Sequence, residues 1–61
     1  MRRGPVFEVA RNRSGRWFVH EIAANGQIAA AAQAYASKGN AKRAAIRKAE
    51  RTEGAGWRVA G

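Results

Sequence analysis

The dipeptide Asn25-Gly26 constrains the fold of this chain more than any other feature, because it is a strong short signal for a tight β-hairpin. The run before it, residues 16–22, is rich in β-branched and aromatic side chains and is typical of a strand. The run after it, residues 27–32, is mostly alanine and favours a helix on propensity alone. Since a hairpin turn needs a second strand to pair with, we predict that residues 27–32 form that strand.

Another strand is predicted earlier in the chain, over residues 6–10, which contain two valines and a phenylalanine. Pro5 precedes this run and suits a strand start, because proline cannot donate a hydrogen bond to a strand ladder. Residues 12–15, Asn-Arg-Ser-Gly, carry turn chemistry and separate this strand from the one at residues 16–22. The turn leaves room for a bulge, so the register of the first strand stays open.

A helix is predicted over residues 38–53, a stretch without proline that consists mostly of good helix formers. Ser37 precedes it and offers a side-chain oxygen to the free amide groups of the first turn. Small apolar side chains recur at spacings of three and four, which gives a narrow stripe that we expect to face the sheet. The stripe consists of Ala41, Ala44, Ala45 and Ala49, with Ile46 on its border.

The Gly-Ala-Gly run at residues 54–56 ends the predicted helix, because glycine accepts a left-handed conformation. Residues 57–60 are then predicted as a short fourth strand. The order β-β-β-α-β gives an α+β fold in which one helix backs an antiparallel sheet. We expect a single domain over residues 1–61, with a flexible basic segment at residues 1–4 and the β-β-β-α part at residues 5–53.

Alternation along the strands sorts their side chains into two faces. A two-residue turn at Asn25-Gly26 would place Ile22 opposite Ala29, which fixes the sorting. The more apolar face is predicted to lie under the helix, where we also expect Phe7 and Val9. That face holds Trp17, Val19, Glu21, Ala23, Ile28, Ala30 and Ala32, and the opposite face holds Arg16, Phe18, His20, Ile22, Gln27, Ala29 and Ala31.

The core of such a fold is small, which favours an assembly. A chain of 61 residues buries only about 60% of the surface that it exposes when unfolded. It has no cysteine, so disulfides cannot support it, and oligomerisation is the remaining support. Trp57 is a large apolar group that its own domain has little means to cover. We therefore predict a homodimer in which the C-terminal segment packs on the other subunit through Trp57, Arg58, Val59 and Ala60.

Four short stretches spread over most of the chain form a family pattern. They are Phe7-Glu8-Val9, Gly15-Arg16-Trp17, Ala23-Ala24-Asn25-Gly26-Gln27-Ile28 and Tyr35-Ala36-Ser37-Lys38. Together they resemble the YegP family of small bacterial and archaeal domains of unknown function, over residues 7–50. The resemblance implies a β3-α-β unit and, for a single-copy chain, a homodimer with one continuous sheet and swapped C-terminal strands. A weaker resemblance, carried by the Gly-Arg-Trp run, is to the plant GCC-box-binding domain, whose sheet lies in the DNA major groove.

The sequence gives little support to catalysis or to metal binding. His20 is the single histidine, and the chain has no aspartate to orient it. Ser14 and Ser37 are better explained as turn and cap residues than as nucleophiles. One histidine, no cysteine and four scattered glutamates make a poor ligand set for a metal. We therefore expect a non-enzymatic protein without catalytic residues, cofactor or metal.

The apolar runs of the chain are shorter than a signal peptide or a membrane span requires. We therefore expect a cytoplasmic protein with no membrane partner.

The charge balance predicts a polyanionic partner. Lysine and arginine number 12 against 4 acidic residues, for a net charge of +8, and most of the cations are arginine, which binds phosphate through two parallel hydrogen bonds. We predict a homodimeric DNA-binding protein, with RNA as the less favoured ligand, that recognises shape and phosphate more than base sequence. The predicted binding residues are Arg2, Arg3, Arg11, Arg13, Arg16, Lys42 and Arg43.

Three alternative interpretations stay open. Helix cations such as Arg47 also fit the solvated back of an amphipathic helix. The basic surface also fits a protein-interaction module of unknown function that binds an acidic partner. Phe18 fits either a platform on which a base stacks, flanked by Arg16 and His20, or a place in the core together with Ile22.

Overall fold

The fold of the protein comes from a computed structural model, which describes residues 4–60 apart from the side chains of residues 30–32. Four strands and one helix follow one another in the order β1, β2, β3, α1 and β4. This order confirms the predicted α+β fold, in which one helix backs a sheet. The elements are β1 at Val6–Arg11, β2 at Trp17–Ile22, β3 at Ile28–Tyr35, α1 at Lys38–Arg51 and β4 at Gly56–Val59.

The sheet is mixed, which differs from the predicted antiparallel sheet. Its strands lie in the order β3-β2-β1-β4, and β4 pairs in parallel with β1, so that Phe7 lies opposite Trp57. The helix is the physical reason: α1 carries the chain back along the sheet, so β4 enters at the end where β1 and β3 begin. The structure contains one chain, in which β4 pairs with its own β1, and the exchange of this strand between subunits stays a prediction.

The second hairpin has a three-residue loop instead of the predicted two-residue turn. The amide of Ala23 donates to the carbonyl of Gln27 at 2.7 Å, and the amide of Gly26 donates to the carbonyl of Ala23 at 2.8 Å. A two-residue type I′ turn needs positive φ at both central residues, but among the described residues only glycines have it. Gly26, with φ of 90°, closes the loop as a bulge, and Asn25 instead accepts a hydrogen bond from the amide of Gln27.

This loop and an irregularity in the β2–β3 pairing change which side chains of β3 face the helix. Ile22 lies opposite Ile28, one residue earlier than predicted, and Val19 lies opposite Gln33. Ile28 is therefore on the uncovered face with 65% of its surface exposed, and its predicted place under the helix is wrong. The predicted positions of the side chains of residues 30–32 lie outside the described part of the chain.

The helix covers the sheet face that the alternation selected. Phe7 and Val9 are buried beneath it as predicted, and Trp17 packs at the margin of the core. Phe18 and Ile22 lie on the other face, so their interpretation as core residues is wrong. The buried core consists of Phe7, Val9 and Val19 from the sheet and Ala41, Ala45 and Ala49 from the helix.

Ser37 caps α1 as predicted, because its Oγ accepts a hydrogen bond from the amide of Asn40 at 3.2 Å. The helix ends at Arg51, two residues before the predicted end, and Gly54 has a φ of 75° in the turn that follows. This turn is tied to the start of the described chain, since the amide of Gly4 donates to the carbonyl of Gly54 at 3.1 Å. Within residues 4–60, no helix is long and apolar enough to cross a membrane.

Candidate nucleic-acid interface

The topology brings most of the exposed cations to one end of the sheet. At this end β1 and β3 finish, while β2 and α1 begin, so the first hairpin loop lies beside the first two turns of the helix. We call this region the basic end. It carries six exposed cationic side chains, which are Arg11, Arg13, Arg16, Lys38, Lys42 and Arg43.

The remaining charges of the described residues balance one another. Four cations lie outside the basic end, at Arg47, Lys48, Arg51 and Arg58, and all four glutamates of the chain lie there too, at Glu8, Glu21, Glu50 and Glu53. Glu8 is paired directly, because it accepts a hydrogen bond from Arg58 at 2.7 Å. The net positive charge of the described residues therefore lies at the basic end, away from the glutamates.

The first hairpin presents its arginines on a well-fixed loop. The amide of Asn12 donates to the carbonyl of Arg16 at 2.9 Å, and the amide of Gly15 donates to the carbonyl of Asn12 at 3.0 Å. The Oδ1 atom of Asn12 also accepts from the amide of Arg16, and Gly15 supplies the positive φ, 83°, that closes the loop. The bulge for which the sequence left room is present at Gly15. A fourth hydrogen bond in the loop joins Ser14 Oγ to Asn12 Oδ1, and Arg13 and Arg16 are exposed on this loop.

Trp17 brings two of these cations together. The Cζ atom of Arg11 lies 5.7 Å from the centroid of the Trp17 ring, and the Nζ atom of Lys38 lies at the same distance. A cation over an indole ring is stabilised by the ring's electrons while it keeps its charge. The indole thus lies close to both a β1 arginine and a helix lysine, which are far apart in sequence.

The helix dipole distinguishes the cations of α1 whose position it favours from those whose position it opposes. Lys48 and Arg51 lie in the last turn of α1, where positive charge is favourable, and the Nζ atom of Lys48 also donates to Oε1 of Gln33 at 2.9 Å. Lys38 lies at the opposite terminus, where the dipole is positive and the first turn contains no acidic residue. Its position opposes the helix, so helix stability does not explain it.

Lys42 and Arg43 lie one turn further along α1, and Lys42 extends toward β4. The Nζ atom of Lys42 is 5.6 Å from the centroid of the Trp57 ring, which is 39% exposed on the helix side of the sheet edge. Five of the seven predicted binding residues, from Arg11 to Arg43, therefore lie at one end of the molecule. Arg2 and Arg3 lie outside the described residues.

The predicted binding residues include Lys42 and Arg43 of the helix but not Lys38, which the structure places with them at the basic end. A signal for Lys38 was present in the sequence: it is the first residue after the cap at Ser37, and a lysine there opposes the dipole. Sequence reasoning also missed Asn12 as the residue whose side chain fixes the loop. An asparagine three residues before a glycine is a recognisable turn pattern, but which hydrogen bonds its side chain makes depends on the folded loop.

Comparisons with family models, curated proteins and solved structures give no match. The resemblance to the YegP family therefore stays a prediction. Within residues 4–60, no group of three or more histidine, aspartate or glutamate side chains is placed to hold a metal ion.

Proposed function

We propose that this protein is a non-enzymatic nucleic-acid-binding protein whose ligand is DNA, held mainly through its phosphates by the basic end. The observation that carries the proposal is the segregation of charge: six exposed cations share one end, and every glutamate lies elsewhere. Arginine predominates at the hairpin, which suits bidentate contact with phosphate. Each phosphate neutralised releases counterions, so the affinity falls steeply with salt.

The proposal includes a homodimer, as the size of the core suggests. Three of the six buried core residues are alanines, and Val9 is the largest side chain that is fully buried. Such a core contributes little free energy against the conformational entropy of 61 residues. A second copy would cover further apolar surface, including the Trp57 ring, and would double the number of cations facing the DNA. Light scattering is expected to give twice 6.6 kDa, and a monomeric mass would contradict this part of the proposal.

Fluorescence anisotropy with labelled DNA tests the function. Arg13→Ala/Arg16→Ala removes two charges from the basic end, and Arg47→Ala/Arg51→Ala removes two exposed charges from the rest of the helix as a matched control. We expect the first pair to weaken binding about tenfold or more at low salt and to lower the salt slope by about two, which corresponds to two lost phosphate contacts. The control pair should change the affinity much less.

Two outcomes would refute the proposal. Equal losses for the two variant pairs would mean that net charge alone governs binding. Equal affinity for poly-glutamate and DNA would instead favour the alternative, a module that binds an acidic protein. An RNA of the same base sequence, measured in parallel, tests the choice of DNA.

A further inference from the structure

The face of the sheet opposite the helix carries aromatic side chains at its centre. Phe18 and His20 lie on this face, because their neighbours Trp17 and Val19 point toward the helix. The two rings are stacked, with centroids 6.5 Å apart and planes inclined by 21°. We call this pair the aromatic platform. In the structure of the chain, no element covers it among residues 4–60.

The neighbours of Phe18 leave space beside its ring. Its cross-strand partners are Ala10 on β1 and Ala34 on β3. Both have only a methyl group as side chain, so neither fills the space beside the phenyl ring. A cavity of about 250 Å³ opens beside the platform, lined by Ala10, Arg11, Asn12, Phe18 and His20. Planar groups can therefore reach the aromatic surface from solvent.

The platform adjoins the basic end directly. Arg16 precedes Phe18 by two residues and so lies on the same side of the chain as the platform, at the first hairpin loop. The glutamate on this face, Glu8, lies opposite His20, and Arg58 pairs with it at 2.7 Å. Because Arg58 is 59% exposed and neutralises this carboxylate, the face does not repel a phosphate chain.

We propose that this face binds single-stranded nucleic acid, with a base stacked on the platform while the basic end holds the adjoining phosphates. The inference rests on the proposed function and specifies the ligand. Single strands offer free base faces to an aromatic ring, whereas the bases of a duplex are already stacked on one another. An uncovered sheet with aromatic residues beside a cationic loop combines the two contacts that single-strand binding uses.

The test compares three variants of Phe18 on single-stranded and duplex oligonucleotides of the same sequence. Phe18→Leu keeps an apolar side chain but removes the aromatic face, and Phe18→Tyr keeps that face. We expect the wild type to bind the single strand more tightly than the duplex. Phe18→Leu should weaken single-strand binding about fivefold to a hundredfold with little effect on the duplex, and both Phe18→Tyr and Phe18→Trp should restore it.

Phe18 lies outside the core, so these variants are expected to fold, and circular dichroism confirms this before titration. Equal affinity for single strand and duplex, or no effect of Phe18→Leu, would overturn the inference and leave the proposed function intact. Loss of dimer mass in Phe18→Leu would also overturn it, because the platform would then be the contact between two copies. No binding of either oligonucleotide would refute the proposed function itself.

Discussion

Arg58 donates a hydrogen bond from Nε to Oε2 of Glu8 at 2.7 Å, and this contact joins two strands that are fifty residues apart in the chain. The two residues are also Cα partners in the parallel pairing of β1 with β4. The contact therefore reports directly on whether the C-terminal strand is in place.

Removal of the contact between Arg58 and Glu8 is predicted to lower the stability of the protein only slightly. Arg58→Ala should lower the free energy of unfolding by less than about 1 kcal/mol, because the arginine is mostly exposed and water screens the pair. Urea denaturation of Arg58→Ala, Glu8→Gln and the double variant gives the coupling energy. A coupling energy well above about 1 kcal/mol would contradict the prediction. Arg47→Ala, which removes an exposed cation from the helix, is the control.

The hydroxyl of Ser37, which caps α1, is predicted to contribute more to the free energy of unfolding than the hydroxyl of Ser14. Ser37→Ala leaves the amide of Asn40 without its side-chain acceptor and should cost about 1 kcal/mol. For a domain of this size that corresponds to a fall in melting temperature of roughly 4–8 °C. Ser14→Ala is the matched control, since that hydroxyl contacts only the exposed side chain of Asn12. Equal melting temperatures for the two variants would contradict this prediction.

Close packing between helix and sheet makes Ala45 intolerant of a larger side chain. Ala45 is fully buried, so Ala45→Leu must displace its neighbours, and we expect a loss of about 1–3 kcal/mol. Arg47→Leu places the same side chain on the exposed side of α1 and should change the stability by less than about 0.5 kcal/mol. Urea denaturation checks this: if both variants unfold with the same m-value, the difference between their midpoint concentrations gives the difference in stability. A neutral Ala45→Leu would mean that the helix is loosely packed.

Gly4 is predicted to be irreplaceable by alanine. A Cβ atom there would lie 2.5 Å from the carbonyl carbon and 2.7 Å from the carbonyl oxygen of Gly54, which are backbone atoms. Gly4→Ala should therefore push the chain away from the turn after α1 and destabilise the protein. Gly56→Ala is the control, because nothing lies within 4 Å of its added Cβ. Thermal melts in which Gly4→Ala equals Gly56→Ala would contradict this packing.

Lys38→Glu is predicted to weaken DNA binding while leaving the stability of the fold nearly unchanged. A carboxylate at the first position of α1 is favourable with the helix dipole, and this gain offsets the loss of the contact between Lys38 and Trp17. The free energy of unfolding should stay within about 1 kcal/mol of the wild type, while DNA affinity at low salt falls about tenfold. Arg51→Glu changes the same charge at the other end of the helix. Compared with Lys38→Glu, it should lower the free energy of unfolding more and the DNA affinity less. A stability loss without an affinity loss in Lys38→Glu would show that this lysine is structural.

Much of the architecture follows from local signals in the sequence. Ser37 marks the helix start, the alanine stripe marks its buried side, and Phe7 and Val9 mark the buried face of β1. A strand at residues 27–32 was predicted against its alanine propensity, because the turn at Asn25-Gly26 requires a partner strand, and the observed strand overlaps it but extends further, over Ile28–Tyr35.

The errors share one cause, which is backbone geometry that single residues do not specify. The loop closed by Gly26 has one residue more than the dipeptide Asn25-Gly26 indicates, which shifts the pairing of β3 with β2 by one residue. A shift of one residue moves each side chain to the other face of the sheet, so the predicted face of Ile28 was wrong. The direction of β4 depends on where α1 ends relative to the sheet, which is a property of the whole chain. The grouping of Arg11 with Lys38 depends in turn on the position of Trp17 between β1 and the helix.

Because the excess cations of residues 4–60 lie at the basic end and the glutamates lie elsewhere, the charge distribution of this part of the chain has an electric moment that points toward the basic end. A distant polyanion exerts a torque on such a body and turns the hairpin loop and the helix start toward itself before any atom touches. The effect reaches about 8 Å beyond the surface at physiological ionic strength and further in dilute buffer. Productive encounters should therefore outnumber those expected from random orientation, and the excess should vanish as salt is added.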